Sequence, residues 1–166
     1  GASADKTPEQ RSRAATIRFN IETKRDPLNP EYINDGFDGT TPGPFEQAVV
    51  GAVVAGSLTA RVTIQSFDHR SLWAVRQLEP GIALSALTSF GLLDFADAAA
   101  RGASIWSPHY SMATPELITE AHAAGLRVVP WTVNDESDMR DLIADGVDGI
   151  ITDFPDLLLD IIVRAP

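Results

Sequence analysis

Residues 128–155 read VVPWTVNDESDMRDLIADGVDGIITDFP, and this stretch decides the architecture. Val128, Val129, Trp131 and Val133 make a short apolar run that ends at Asn134 and Asp135, two residues able to cap a helix. Met139, Leu142 and Ile143 follow at i, i+3 and i+4, one apolar face on an otherwise polar helix. Gly146 and Gly149 stop that helix, and residues 149–152 open a second buried run. A strand, helix and strand joined in this way pair the strands in parallel, with their C-terminal ends on one rim. Trp131, Asn134 and Asp153 fall on that rim, so the segment points to a binding face as well as a fold.

The same grammar repeats outward from this unit. Residues 16–23 alternate Ile17, Phe19 and Ile21 with polar neighbours, as a half-buried strand does. A loop rich in proline and glycine runs from Asp26 to Gly43, and residues 45–55 predict a helix opened by Pro44. Residues 62–67, 82–87 and 104–106 predict three more strands. Helices are expected over 71–78 with Asp68 as cap, over 92–101 closed by Gly102, over 115–124 stopped by Gly125, and over 156–163.

About six strands alternating with helices imply a parallel α/β sheet. A (β/α)8 barrel obeys this pattern but needs eight units and typically ~250 residues, so about two units are missing. A doubly wound sheet also alternates, but its Gly-x-Gly-x-x-Gly turn is absent after the first strand. Nearly every strand ends in a reactive or aromatic side chain: Glu22 and Lys24, Ser66 and His69, His109, then Trp131 and Asn134, then Asp153. That placement favours the barrel, here incomplete.

Composition narrows the function. A chain of 166 residues supports one substantial core, and 44% hydrophobic with 22% charged residues describes a folded chain. A net charge of −10 without a basic stripe argues against nucleic acid. The lack of cysteine excludes disulfides and thiolate–metal sites but leaves the compartment open. No apolar run approaches the ~18 residues of a membrane span. Residues 1–15 read as a polar tail or tag remnant rather than a signal peptide, ahead of one domain over 16–166.

Glu22 and Lys24 share one face of a strand. The pair suits either a strand-end salt bridge or a site in which the carboxylate meets a hard cation and the lysine a phosphate. His122 lies within a helix, as a surface or packing residue. His69 suits a helix start or a substrate contact, and His109 an exposed loop or the mouth of a barrel. No pair of histidines has metal-ligand spacing, and Ser66 lacks a Gly-x-Ser-x-Gly elbow. The loop from Glu31 to Thr41 does not match a calcium loop and reads as solvated, although Tyr32 or Phe37 could fold over a ligand. Trp131 reads equally as core or as a substrate wall.

Four stretches, FNIETK, IQSFDHRSL, AHAAGLRVVPWTVN and DLIADGVDGIITDFP, resemble the glycerophosphodiester phosphodiesterases, metal-dependent (β/α)8-barrel hydrolases of glycerol and lipid metabolism. The resemblance runs from about Thr16 to the C-terminus and implies strands three to eight of such a barrel. It implies Glu22 as a metal ligand for magnesium or calcium, Lys24 near the phosphate, Trp131 in the wall of the alcohol pocket, and Asp153 on the rim. Thr23, where the family usually has an aliphatic residue, is expected to face away from Glu22. The family's His-Arg-Gly, Glu-x-Asp and His-Asp motifs have no counterpart here, so no catalytic residue is assigned and the chain alone is expected to be inactive. The implied reaction yields an alcohol and glycerol 3-phosphate. Self-association or an N-terminal partner fragment is expected to cover open strand edges. The alternatives are a non-catalytic barrel-derived binding or assembly module and a phosphate-handling barrel enzyme of another reaction.

Overall fold

The computed structural model describes residues 5–164; residues 1–4, at the head of the polar stretch, and residues 165–166 lie outside the described residues. A parallel sheet of five strands runs in chain order: β1 Phe19–Glu22, β2 Val62–Ser66, β3 Ala83–Thr88, β4 Ile105–Pro108 and β5 Arg127–Val128. Helix α1 (Pro8–Thr16) precedes the sheet. Helices α2 (Pro44–Ala55), α3 (His69–Leu78), α4 (Phe95–Ala100) and α5 (Pro115–Ala123) connect successive strands, and α6 (Glu136–Ala144) and α7 (Pro155–Arg164) follow β5.

The register assigns the two faces of the sheet. Ile64 stands opposite Ile21 and Leu84, Ala86 opposite Trp106, and Trp106 opposite Val128, so these residues share one face. That face is apolar and buried against Val50 and Val53 of α2, Leu72 and Val75 of α3, Ala98 of α4, Ile118 of α5, Met139 of α6 and Ile161 of α7. Helices α2 to α7 thus pack on the same side, whereas a doubly wound sheet carries helices on both. The opposite face is mostly small and polar, interrupted by Ile105 and Leu87. It presents Asn20, Glu22, Thr63, Gln65, Ser85 and Ser107; Asn20 Nδ2 donates to Gln65 Oε1 at 2.8 Å, and the Ser85 and Ser107 hydroxyls bond at 2.9 Å.

The expected elements are present with four differences. The polar start holds α1, built by a capping box in which Thr7 and Gln10 satisfy each other's backbone N–H groups, although the helix buries nothing. The helix expected from 92 begins at Phe95, because Asp94 caps it by accepting from the Asp97 N–H. The helix expected from 71 begins at His69, since the Asp68 carboxylate already accepts the Arg70 N–H.

The fourth difference concerns the far edge. Residues 149–152 form no sixth strand, although the N–H groups of Asp148 and Ile151 donate to the carbonyls of Val128 and Pro130, both at 2.9 Å. Pro130 has no N–H to return. The Val128 N–H that a neighbouring strand would use goes instead to the Asp148 carboxylate at 2.7 Å, which also meets His122 Nε2 at 2.9 Å. Asp148 therefore locks the glycine turn onto β5 and α5, and His122 is a helix-surface residue engaged in that lock.

Candidate functional site

Parallel pairing places the strand C-termini side by side, and alternation decides what they present. Glu22 ends β1 on the polar face, in register with Gln65 of β2. Its Oε2 lies 2.8 Å from Lys24 Nζ, so the two residues do form the strand-end salt bridge. Lys24 stays 77% exposed and adopts φ +52°, a left-handed conformation that costs a non-glycine residue ~1–2 kcal/mol. The turn redirects the chain over the end of the sheet while keeping the ammonium on Glu22.

A cleft of about 760 Å³ opens on this pair. Glu22, Lys24, Phe67 and His69 line it from the ends of β1 and β2, and the loops after β1 and β3 add walls that include Tyr32 and Leu92. His69 Nε2 bonds to the Leu87 carbonyl at 2.9 Å; a carbonyl only accepts, so that nitrogen carries the proton. His69 thereby ties the start of α3 to β3 while facing the cleft.

Trp131 does not line the cleft directly. It meets Phe67 edge to face at 5.5 Å between ring centroids and His109 at 5.4 Å, and its indole N–H donates to the Ser107 carbonyl at 2.9 Å. His109 pairs with Trp131 by an isolated parallel bridge, so both extend the rim beyond β4 and β5. Trp131 thus buttresses the wall that Phe67 presents. Asp153 accepts from Asn134 Nδ2 at 2.8 Å, while Asn134 Oδ1 takes the Asp153 N–H at 3.0 Å. The two residues fasten the turn before α7 at the rim, and neither is among the cleft-lining residues. Capping of α6 falls to Asp135, which accepts the Ser137 N–H.

Ser66 and Thr23 belong to the helix-side face. The buried Thr23 hydroxyl donates to Ser66 Oγ at 2.8 Å, and Ser66 Oγ also accepts the Asp68 N–H. Ser66 is thus a structural junction, and Thr23 does face away from Glu22.

The spacing of the sequence did not mark Arg25. Its guanidinium is buried and bridges two carboxylates: Nε and Nη2 donate to Glu46 at 2.8 and 3.1 Å, Nη1 and Nη2 to Asp35 at 3.1 and 2.9 Å. Ser71 Oγ donates to Glu46 at 2.7 Å, and Phe37 stacks on the guanidinium at 4.3 Å. The loop over 31–41, which reads as solvated from the sequence, is thus docked at Asp35 and Phe37 on Arg25. A carboxylate ten residues beyond an arginine fills a bidentate site that faces the helix layer. Tyr32 of that loop does reach the cleft.

Bonding to Arg25 and to the N–H groups of Phe45 and Phe37 holds Asp35 down at about 2, below its ordinary 3.8, against the opposing effect of burial. A carboxylate whose folded pKa is depressed stabilises the fold above its unfolded pKa and loses that contribution as pH falls through the folded value. Asp35 is thus expected to support stability fully above about pH 4 and progressively less toward pH 2. Urea midpoints measured across that window should fall in the native chain, and Asp35→Asn should flatten the decline.

Glu22 offers at most two oxygens, whereas magnesium or calcium takes six or more. Among the described residues no group of three or more His, Asp or Glu is placed to hold an ion. Among the described residues, Glu22 therefore fits such a centre as one ligand.

Comparison with known proteins bears on this arrangement. The model of the glycerophosphoryl diester phosphodiesterase family matches residues 45–157. A glycerophosphodiester phosphodiesterase of Caldanaerobacter subterraneus is 35% identical over 122 residues, covering 73% of this chain and 50% of that protein. One from Bacillus subtilis is 31% identical over 137 residues, covering 76% and 46%. The chain thus spans about half the length of these curated relatives. The crystal structure of a glycerophosphodiester phosphodiesterase from Parabacteroides distasonis superposes with a TM-score of 0.72 at 21% identity, covering 93% of this chain and 61% of that one, a likeness of fold.

Proposed function

Because the chain belongs to the glycerophosphoryl diester phosphodiesterase family, we propose that it supplies strands three to eight of a (β/α)8 barrel and the substrate-binding half of an active site that hydrolyses glycerophosphodiesters to an alcohol and glycerol 3-phosphate. The observation that carries this reading is the shared placement of Glu22 and Lys24 with Phe67 in one cleft at the C-terminal ends of parallel strands. Barrel enzymes build their sites at that end. Helices confined to one face of the sheet support the same architecture.

In this reading Lys24 meets the phosphate, and Trp131 positions the wall for the alcohol by holding Phe67. Glu22 contributes one ligand to a divalent cation, magnesium or calcium, whose other ligands lie outside these 166 residues. Such a cation neutralises phosphoryl charge when bound. The histidines that move protons also lie outside: His69 is engaged by Leu87, His109 is set at the rim with Ser111, and His122 is locked to Asp148. The 166-residue chain alone is therefore expected to turn over glycerophosphocholine far below ~1 s⁻¹. Joining it to the two N-terminal strand–helix units of a family relative should restore hydrolysis. A rate of ~1 s⁻¹ or more from the chain alone would refute this division of labour.

Open surfaces point to a partner for the isolated chain. Ile17 and Phe19 are exposed at and beside the outer strand β1, and Leu159, Ile162 and Val163 are exposed on α7. Unpaired strand edges with apolar flanks associate readily. The chain is expected to self-associate, or to bind a fragment supplying the first two units, at micromolar concentration. Sedimentation that finds a monomer under both conditions would overturn this.

A further inference from the structure

We propose that the cleft takes single-chain amphiphiles, phosphodiesters carrying one aliphatic chain of about eight carbons or more, in preference to water-soluble glycerophosphodiesters. The inference rests on the phosphodiester reading above and deepens it. Its basis is the cleft's lining. Among the large apolar side chains that the fold leaves exposed, Leu28, Tyr32, Phe67, Phe90 and Leu92 all line this one cavity. Phe90 and Leu92 are 79% and 81% exposed. They occupy the loop between β3 and α4, and Leu28 and Tyr32 occupy the loop after β1, so the two walls face each other across Phe67.

Among the lining residues Glu22, Lys24, His69, Thr88 and Ser89 lie at or just beyond strand ends. Lys24 and Glu22 stand at the sheet, where an ammonium 77% exposed suits an anionic head group. The remaining carboxylates are committed elsewhere: Asp26 accepts from the Leu28 N–H and from Asn29 Nδ2, and Asp94 caps α4. A glycerol group gains little from two apolar walls, whereas an aliphatic chain beside a phosphodiester matches both the charge and the surface; a choline head could meet the aromatic rings, but it is common to both phosphodiesters compared below. Pockets of this size accommodate ligands larger than a bare glycerophosphodiester.

The test is calorimetric titration of the 166-residue chain, in buffer containing magnesium, with 1-octanoyl-glycerophosphocholine below its micelle concentration, with glycerophosphocholine, and with octyl glucoside. The octanoyl compound is expected to bind at least ~30-fold more tightly than glycerophosphocholine, a factor that two or three fully buried methylenes already reach. The double variant Phe90→Ser, Leu92→Ser changes only exposed side chains and should abolish that difference while its circular dichroism stays native. Lys24→Ala should weaken both phosphodiesters and leave octyl glucoside unaffected. Equal affinity for the two phosphodiesters, no binding by either, or octyl glucoside binding as tightly as the octanoyl compound would each overturn the proposal. So would sedimentation showing that the double variant removes a dimer, which would make a second copy the occupant. Lys24-dependent binding without a chain effect sinks this inference alone. Chain-dependent binding indifferent to Lys24→Ala also sinks the phosphodiester reading of the cleft.

Discussion

Replacing Arg25 with alanine is expected to destabilise the fold by about 3–5 kcal/mol, the largest single-residue effect among the polar groups. Glu46 is 0% exposed, and two of its hydrogen bonds come from the Arg25 guanidinium; without them it keeps only the Ser71 hydroxyl. A buried carboxylate deprived of its counter-charge must be desolvated without compensation or take up a proton. Arg25→Lys should recover little, because a single ammonium cannot reproduce a planar fork spanning Glu46 and Asp35. Arg25→Met combined with Glu46→Leu and Asp35→Asn should recover most of the loss, since it removes all three charges of the network together. Urea unfolding followed by tryptophan fluorescence reads all three. A loss below ~1 kcal/mol for Arg25→Ala would mean that the network is a surface ornament.

That network matters to the cleft because of its place in the chain. Arg25 directly follows Lys24, whose left-handed backbone persists only if its surroundings over-determine it. On one side Lys24 is held by its bridge to Glu22; on the other, Arg25 is anchored to α2 through Glu46 and to the long loop through Asp35. Gly43 permits the close approach: a side-chain carbon there would sit 3.0 Å from both the Asp35 and Glu46 carboxylates. The helix layer thus sets the position of Lys24 at the cleft.

The architecture was legible because its signals are periodic. Alternation in residues 16–23 and the i, i+3, i+4 spacing of Met139, Leu142 and Ile143 report burial directly, and β1 and α6 lie where these patterns place them. The motif GVDG gave the turn but not its consequence. Asp148 captures the Val128 N–H with its side chain, and hydrophobic spacing carries no record of that competition with the ladder. In the site, Glu22 and Lys24 could be paired from a two-residue repeat, and Phe67 could have been marked by the same parity, lying two residues beyond Gln65. The Arg25 network joins residues 10 and 21 positions apart through a loop without periodicity. Only the long-range docking of that loop on α2 and α3 reveals it. Trp131 was readable as a wall or as core, and contact with Phe67 and His109 makes it a support for the wall.

In a form of the chain joined to two further strand–helix units from a family relative, Glu22→Gln is expected to lower kcat/KM by on the order of 10²–10³, comparable to removing one charge-stabilising group from a hydrolase. The amide has nearly the shape of the carboxylate, so packing at the end of β1 should not change. Two properties do change: the side chain no longer offers anionic oxygen to a hard cation, and it no longer neutralises Lys24 at 2.8 Å. The exposed salt bridge itself contributes little, so the isolated chain should keep its stability within ~0.5 kcal/mol. This combination of a large kinetic loss with an unchanged urea midpoint separates a ligand from a strand-end structural pair. Lys24→Ala in the same protein should act mainly through KM, since an ammonium that meets the substrate phosphate contributes to binding before and during the reaction. Equal activity of the native and Glu22→Gln proteins would remove the carboxylate from the site and leave the pair a purely structural bridge.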